Sequence, residues 1–147
     1  MKSWVEISAE RLAENYRVLA DTAGSETALL AVVKADAYGH GAEICAPVLA
    51  RAGAEWLGVA DAAEGVAVRE ALLAQGFHDV RVLPMSGLLD EEADAMVEHR
   101  LTPIVWTVEQ IECLAAAVRR RGSDPVSVHL VVDTGMARQG AALRDLG

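Results

Sequence analysis

Short, unbroken apolar runs recur along this chain at intervals too long for hairpin turns, and no other feature limits its fold as strongly. They are ALLAVV at 28–33, WLGVA at 56–60, VRVLP at 80–84, PIVW at 103–106 and VSVHLVV at 126–132. Each is too short for an independent helix and continuous rather than alternating, the pattern of a strand covered on both faces. Five buried strands are expected. Between the runs the apolar period changes to that of helices, and strands separated by helices are joined as parallel neighbours through right-handed crossovers. The class is therefore α/β. Periodicity alone leaves two architectures open, an open doubly wound sheet and part of a closed barrel.

Local signals mark the helix ends. After an extended stretch at 4–7, residues 8–20 place Leu12, Tyr16 and Leu19 on one helical face. Asp61 followed by Glu64 has the form of a capping box opening a helix through Leu73, and Gly76 can close it in a left-handed conformation. Thr107 with Gln110 repeats the form and opens a helix ending near Gly122. The helix after the first strand starts between Gly41 and Pro47, with the proline either in its first turn or kinking it. The segment 90–99 is the weakest helix, acidic at its start as the helix dipole favours. No Pro-, Ser- or Gly-rich linker divides the chain and no fixed-period repeat is visible.

The 147 residues suffice for one domain with a real core, and the net charge of −9 opposes a nucleic-acid partner, which needs a basic footprint. The basic run Arg119 to Arg121 closes a helix, where positive charge complements the carbonyl end. No apolar run approaches the roughly 20 residues that span a bilayer, and the first residues lack the apolar core of a signal peptide, so no membrane partner and a cytoplasmic location are expected. Cys45 and Cys113 are far apart, without cysteine or histidine at metal-ligand spacing; they read as buried thiols, and no metal site is expected.

The candidate chemistry follows the first strand. Lys34 comes directly after an apolar run, which places it at the carboxyl end of the sheet, where α/β folds set their active sites. It reads either as a solvated lysine at a strand end or as an amine for Schiff-base chemistry, which apolar surroundings favour by keeping an amine neutral. Gly39 and Gly41 flank His40 just past Tyr38, a turn in which the backbone can approach a phosphate and then expose amides at a helix start. The plain alternative is a strand-to-helix loop, with Tyr38 a core aromatic. Dinucleotide binding is disfavoured, because the strand leads into KADAYGHG and not G-x-G-x-x-G.

AVVKADAYGHG at 31–41 resembles the cofactor-lysine signature of alanine racemases, and HLVVDTGMARQG at 129–140 resembles that family's D-T-G-M-x-R-x-G segment after the fifth strand. The two occur in the family's order, with the α/β units between them. The resemblance implies that Lys34 carries pyridoxal 5'-phosphate covalently, that Tyr38 contacts its phosphate, and that Arg138 meets the substrate carboxylate and the cofactor's phenolic oxygen. It further implies a partial (β/α)8 TIM-type barrel, about its first five strand–helix units with parallel strands. Residues 1–147 would then be the amino-terminal part of a pyridoxal-phosphate-binding barrel domain. The rest of the barrel, usually about 250 residues in all, and the family's carboxyl-terminal β-domain lie outside this sequence.

The implied activity is interconversion of L- and D-alanine, with Lys34 as the base on the D-alanine face and D-alanine supplied to peptidoglycan. The opposing tyrosine base would come from the partner subunit of a homodimer, and the 147 residues alone are expected to be incomplete for turnover. Val131 departs from the pattern, standing where many racemases carry a lysine whose carbamate orients the arginine. The alternatives are a related barrel decarboxylase or racemase, a non-catalytic pyridoxal-phosphate-binding barrel protein, and an inactive truncated racemase.

Overall fold

The structure, a computed structural model, describes residues 4–145. Helix α1 (Ala9–Ala23) starts where Ser8 accepts a hydrogen bond from Arg11 N–H, and residues 4–7 ahead of it form no strand. Leu12 and Tyr16 pack on the core as expected, and Tyr16 Oη donates to Gly53 O at 3.4 Å. Leu19 does not: it is 62% exposed, so the apolar face of α1 is narrower than its spacing suggests.

Three parallel strands follow in order, β1 (Leu30–Val32), β2 (Trp56–Val59) and β3 (Arg81–Pro84), in register Leu30 to Trp56 and Trp56 to Arg81. Thr102 N–H donates to Val82 O at 2.8 Å and leads toward β4 (Ile104–Val105), which pairs in parallel with β5 (His129–Leu130). Sequential strands lie side by side without the reversal of order that defines a doubly wound sheet. Trp56 and His129, the first residues of β2 and β5, meet edge to face with ring centroids 5.0 Å apart. Side chains from strands that share no ladder thus converge, as in a sheet curling toward closure. The fold is a partial (β/α)8 barrel, unclosed, which settles the choice that periodicity left open.

Its crossover segments contain α3 (Ala42–Arg51), α4 (Ala62–Ala74), a 3₁₀ turn (Asp90–Glu92) running into α5 (Ala93–Glu98), and α6 (Val108–Arg121). Pro47 lies inside α3, which begins at the early edge of the expected range. The core joins Cys45, Ala46 and Leu49 of α3, Val68 and Leu72 of α4, and Leu57, Val59 and Val82 of the inner strands. Arg69 is buried, yet its guanidinium donates to Val80 O, His99 O and Arg100 O at 2.8–3.1 Å, tying α4 to two neighbouring loops. These bonds give the buried guanidinium the acceptors that a charge withdrawn from water needs.

The boundary signals largely hold. Thr107 and Gln110 form a reciprocal capping box, and Gly122 ends α6 with φ +61°. Arg120 and Arg121 of its last turn pair with Asp94 (3.0 Å) and Glu98 (2.7 Å) of α5. Gly76, at φ +80°, follows α4.

Three expectations need correction. Only β2, β3 and β4 are well buried; β1 and β5, the first and last strands of the curling series, are largely exposed. The fifth run is not one strand: residues 126–128 lie outside it, and it breaks at Val131 into β5 and β6 (Val132–Asp133). Cys113 is only partly buried, whereas Cys45 is buried.

Candidate active site

Lys34 opens α2 (Lys34–Gly39), and this helix is left-handed: Ala35, Asp36, Ala37 and Tyr38 have φ between 51° and 56°. For L-residues that handedness brings Cβ against the following carbonyl, at roughly 1–2 kcal/mol per residue, so on the order of 4–8 kcal/mol for the turn. Surrounding structure must offset it. Val33 N–H extends the strand ladder to Gly58 O at 2.7 Å, fixing the turn's base. Within the turn Ala37 N–H donates to Val33 O at 2.8 Å, and Gly41 N–H to Asp36 O at 2.9 Å. Two carboxylates finish it. Glu64 accepts from Ala35 N–H and Asp36 from Ala42 N–H, at 2.8 and 2.7 Å, and charge-assisted bonds of this kind contribute about 1.5–3 kcal/mol each.

Lys34 itself is half-buried, and its amine has no hydrogen bond or ion pair among the described residues. Tyr38 is 60% exposed, which removes the reading of a core aromatic, and its hydroxyl is likewise unengaged among them. The amide of Ala42, which the sequence offered to a phosphate at the start of α3, is already taken by Asp36. Tyr38 Oη remains an exposed, unengaged donor on the turn. Burial first, and the charge of Asp36 second, push the Cys45 thiol upward beside the turn.

Arg138 lies on a second loop, between β6 and β7 (Ala141–Ala142), which pair in parallel with Val132 opposite Ala141. Asp133 shapes this loop by accepting from Gly135 N–H (2.9 Å) and Ala137 N–H (3.1 Å). These amides, Gly135 first, hold its carboxyl below the usual range. At Gly140 a Cβ would stand 2.6 Å from Asp133 N, so β6 and β7 approach this closely only with glycine there. Arg138 is exposed and has no ion-pair partner among the described residues.

Both loops sit at the carboxyl edge of the barrel. Glu64 accepts from Ala35 N–H just past β1 and from Ala60 N–H just past β2, both at 2.8 Å, and Ser86 N–H past β3 donates to Ala60 O at 2.9 Å. Gln139, next to Arg138, donates from Nε2 to Met85 O at 3.3 Å. No direct contact joins Lys34, Tyr38 and Arg138 among the described residues. A cavity of about 620 Å³ lined by Tyr16, Thr27, Gly53 and Glu55 lies at the opposite edge, before β1 and β2, away from this chemistry. No three metal-ligating side chains cluster among the described residues.

Sequence reasoning assigned no site role to Glu64, Asp36 or Asp133. Glu64 was legible as the third residue of a capping box, and Asp61 does accept from its N–H at 3.0 Å. The carboxylate, however, turns away from its own cap toward the strand ends. Its reach to Ala35 N–H, on the neighbouring unit, is visible only as a distance in the structure.

The fold and this edge define the class first: a (β/α)8-type barrel segment with an unengaged amine after its first strand, a strained turn carrying an unengaged phenol, and an exposed guanidinium on the same edge. Residues 7–147 match the family model described as "Alanine racemase, N-terminal domain", and the chain belongs to that family. It is 39% identical over 140 residues to an alanine racemase of Synechocystis, covering 95% of this chain and 36% of that protein. Among solved structures, the alanine racemase of Streptomyces coelicolor superposes with a TM-score of 0.82 at 39% identity, over 92% of this chain and 34% of that one. That of Bartonella henselae, determined with covalently bound pyridoxal phosphate, gives 0.76 at 26% identity, over 95% of this chain and 37% of that one. The chain thus spans about a third of the length of the relatives it matches.

Proposed function

We propose that this segment is the amino-terminal part of a pyridoxal-phosphate-dependent alanine racemase, and that Lys34, Tyr38 and Arg138 hold its cofactor and substrate. Support comes above all from Lys34, set with a free amine at the carboxyl end of β1 on a turn held in a costly backbone conformation. Strain of this kind persists where surroundings over-determine it, and it clusters at functional sites. The donor set suits the cofactor: an amine for its aldehyde, a phenol for its phosphate and a guanidinium for anionic oxygen.

When bound, pyridoxal 5'-phosphate withdraws electrons from an amino acid's Cα and makes its proton removable. Lys34 Nζ binds the cofactor covalently and also serves as the base that takes or returns the Cα proton on the D-alanine face. Tyr38 Oη donates to the phosphate and anchors one end of the site. Arg138 would receive the substrate carboxylate, and the phenolic oxygen of the cofactor, through its guanidinium, so that the Cα–H bond is oriented for proton transfer. The second base, on the L-alanine face, comes from outside this sequence, from the partner subunit of a homodimer. The remaining barrel strands and a carboxyl-terminal β-domain complete the protein, which works in the cytoplasm to supply D-alanine for peptidoglycan. None of the described helices is long and apolar enough to cross a membrane.

The test is formation of D-alanine from L-alanine by the full-length protein carrying this segment, with pyridoxal phosphate added. Turnover that disappears in Lys34→Ala supports the reading. A full-length protein that binds the cofactor without racemising alanine would instead identify a non-catalytic pyridoxal-phosphate-binding barrel.

A further inference from the structure

The carboxylate of Glu64 spans two strands. One oxygen accepts from Ala60 N–H at the end of β2, and the other reaches Ala35 N–H, the amide directly after Lys34, both at 2.8 Å. The α6 unit supplies an internal comparison. Its equivalent capping-box residue, Gln110, accepts at Oε1 from Trp106 N–H (2.8 Å) and Thr107 N–H (3.3 Å), both on its own strand end. Gln110 Nε2 donates to Leu88 O at 3.3 Å. An amide with one acceptor oxygen serves there. At the β1 and β2 ends both partners are donors, so both arms must accept, which a carboxylate satisfies and an amide does not. Ala35 is also the first of the four left-handed residues.

We infer that Glu64 is a positioning residue for Lys34: by clamping the amides of Ala35 and Ala60 it fixes the left-handed turn, and hence the lysine, against the end of β2. The inference rests on the reading of Lys34 as the cofactor lysine. Glu64 touches neither cofactor nor substrate in this role; it acts through the backbone that bears the amine. A glutamine in its place keeps the shape but aims an NH₂ at one of the two N–H donors.

The experiment compares Glu64→Gln, the milder Glu64→Asp and Gln110→Ala with the unaltered full-length protein. Two quantities are read: exchange of the Ala35 amide without cofactor, and the rate at which added pyridoxal phosphate becomes covalently bound to Lys34, followed by its visible absorbance. Glu64→Gln should expose the Ala35 amide and slow covalent capture by about tenfold to a hundredfold, the scale expected when a reacting group is misplaced by about 1 Å. Glu64→Asp should fall between, and Gln110→Ala should lower the melting temperature without slowing capture. Unchanged Ala35 exchange in Glu64→Gln overturns the inference, as does faster exchange with capture at the normal rate. Equal slowing by Gln110→Ala also overturns it, showing a general effect of destabilisation. Failure of the unaltered protein to capture the cofactor at all would sink the reading of Lys34 itself, a result distinct from normal capture that ignores Glu64.

Discussion

Arg138 is held out by its loop and not by a partner. Asp133 gathers the amides of Gly135 and Ala137, and Gly140 admits the close return of the chain, leaving the guanidinium exposed between these fixed points. Val131, where the family resemblance leads one to expect a lysine, uses its backbone in two ladders: its N–H donates to Val105 O at 2.9 Å and its carbonyl accepts from Ala141 N–H at 2.8 Å. Its apolar side chain gives the arginine no charge to lean on. A carboxylate-binding arginine and a structural one differ in what their loss does. In the full-length protein, Arg138→Ala should lower kcat/KM for alanine by about a hundredfold or more, equivalent to roughly 2.7 kcal/mol. Arg138→Lys should recover little of it, because a point charge does not replace a planar fork. Exposed side chains contribute little to stability, so the melting temperature should change by no more than about 2 °C. Parallel losses of activity and melting temperature would mark the residue as structural.

At the scale of elements, the left-handed turn at Lys34–Gly39 distinguishes this barrel segment from a plain alternation of strands and helices. Ala35 tests it, because this residue is exposed and carries φ 51°. Glycine enters the left-handed region freely but loses more entropy on folding, so Ala35→Gly should shift stability by no more than about 1 kcal/mol in either direction. A β-branched residue is a genuine outlier there, and Ala35→Val should cost about 2 kcal/mol or more in chemical denaturation. Equal effects from the two substitutions would contradict a strained left-handed turn.

The same element shows where sequence reading stops. Apolar runs located all five strand regions, and the Asp61, Thr107, Gly76 and Gly122 signals located helix ends, because burial and capping are written in residue type. The handedness of α2 was not legible: its alanines and tyrosine have no preference for positive φ, and the conformation is imposed by the Glu64 and Asp36 carboxylates from outside and within the turn. The break at Val131 escaped for a similar reason. VSVHLVV carries no turn residue at the break, and its division follows from β6 finding a separate partner in β7. Lys34 and Arg138 were marked by their motifs, whereas Glu64 needed a distance between neighbouring strands.

For the whole molecule, the exposed outer strands say what the barrel lacks within these residues. Val32 and Leu130 are 37% and 54% exposed on β1 and β5, in a chain whose inner strands are nearly sealed. Apolar strand edges of this kind are covered by neighbours in a closed barrel. The family's fold and the shared carboxyl edge of the two motif loops both follow from consecutive parallel strands, and both make Lys34 the point on which the functional account turns. The most direct measurement is therefore chemical. The full-length protein carrying this segment is loaded with pyridoxal phosphate, reduced with borohydride, digested and mapped by mass spectrometry. The account predicts the reduced cofactor on the peptide containing Lys34. Label on Lys2, which lies outside the described residues, on a lysine elsewhere in the full-length protein, or on none, would contradict it.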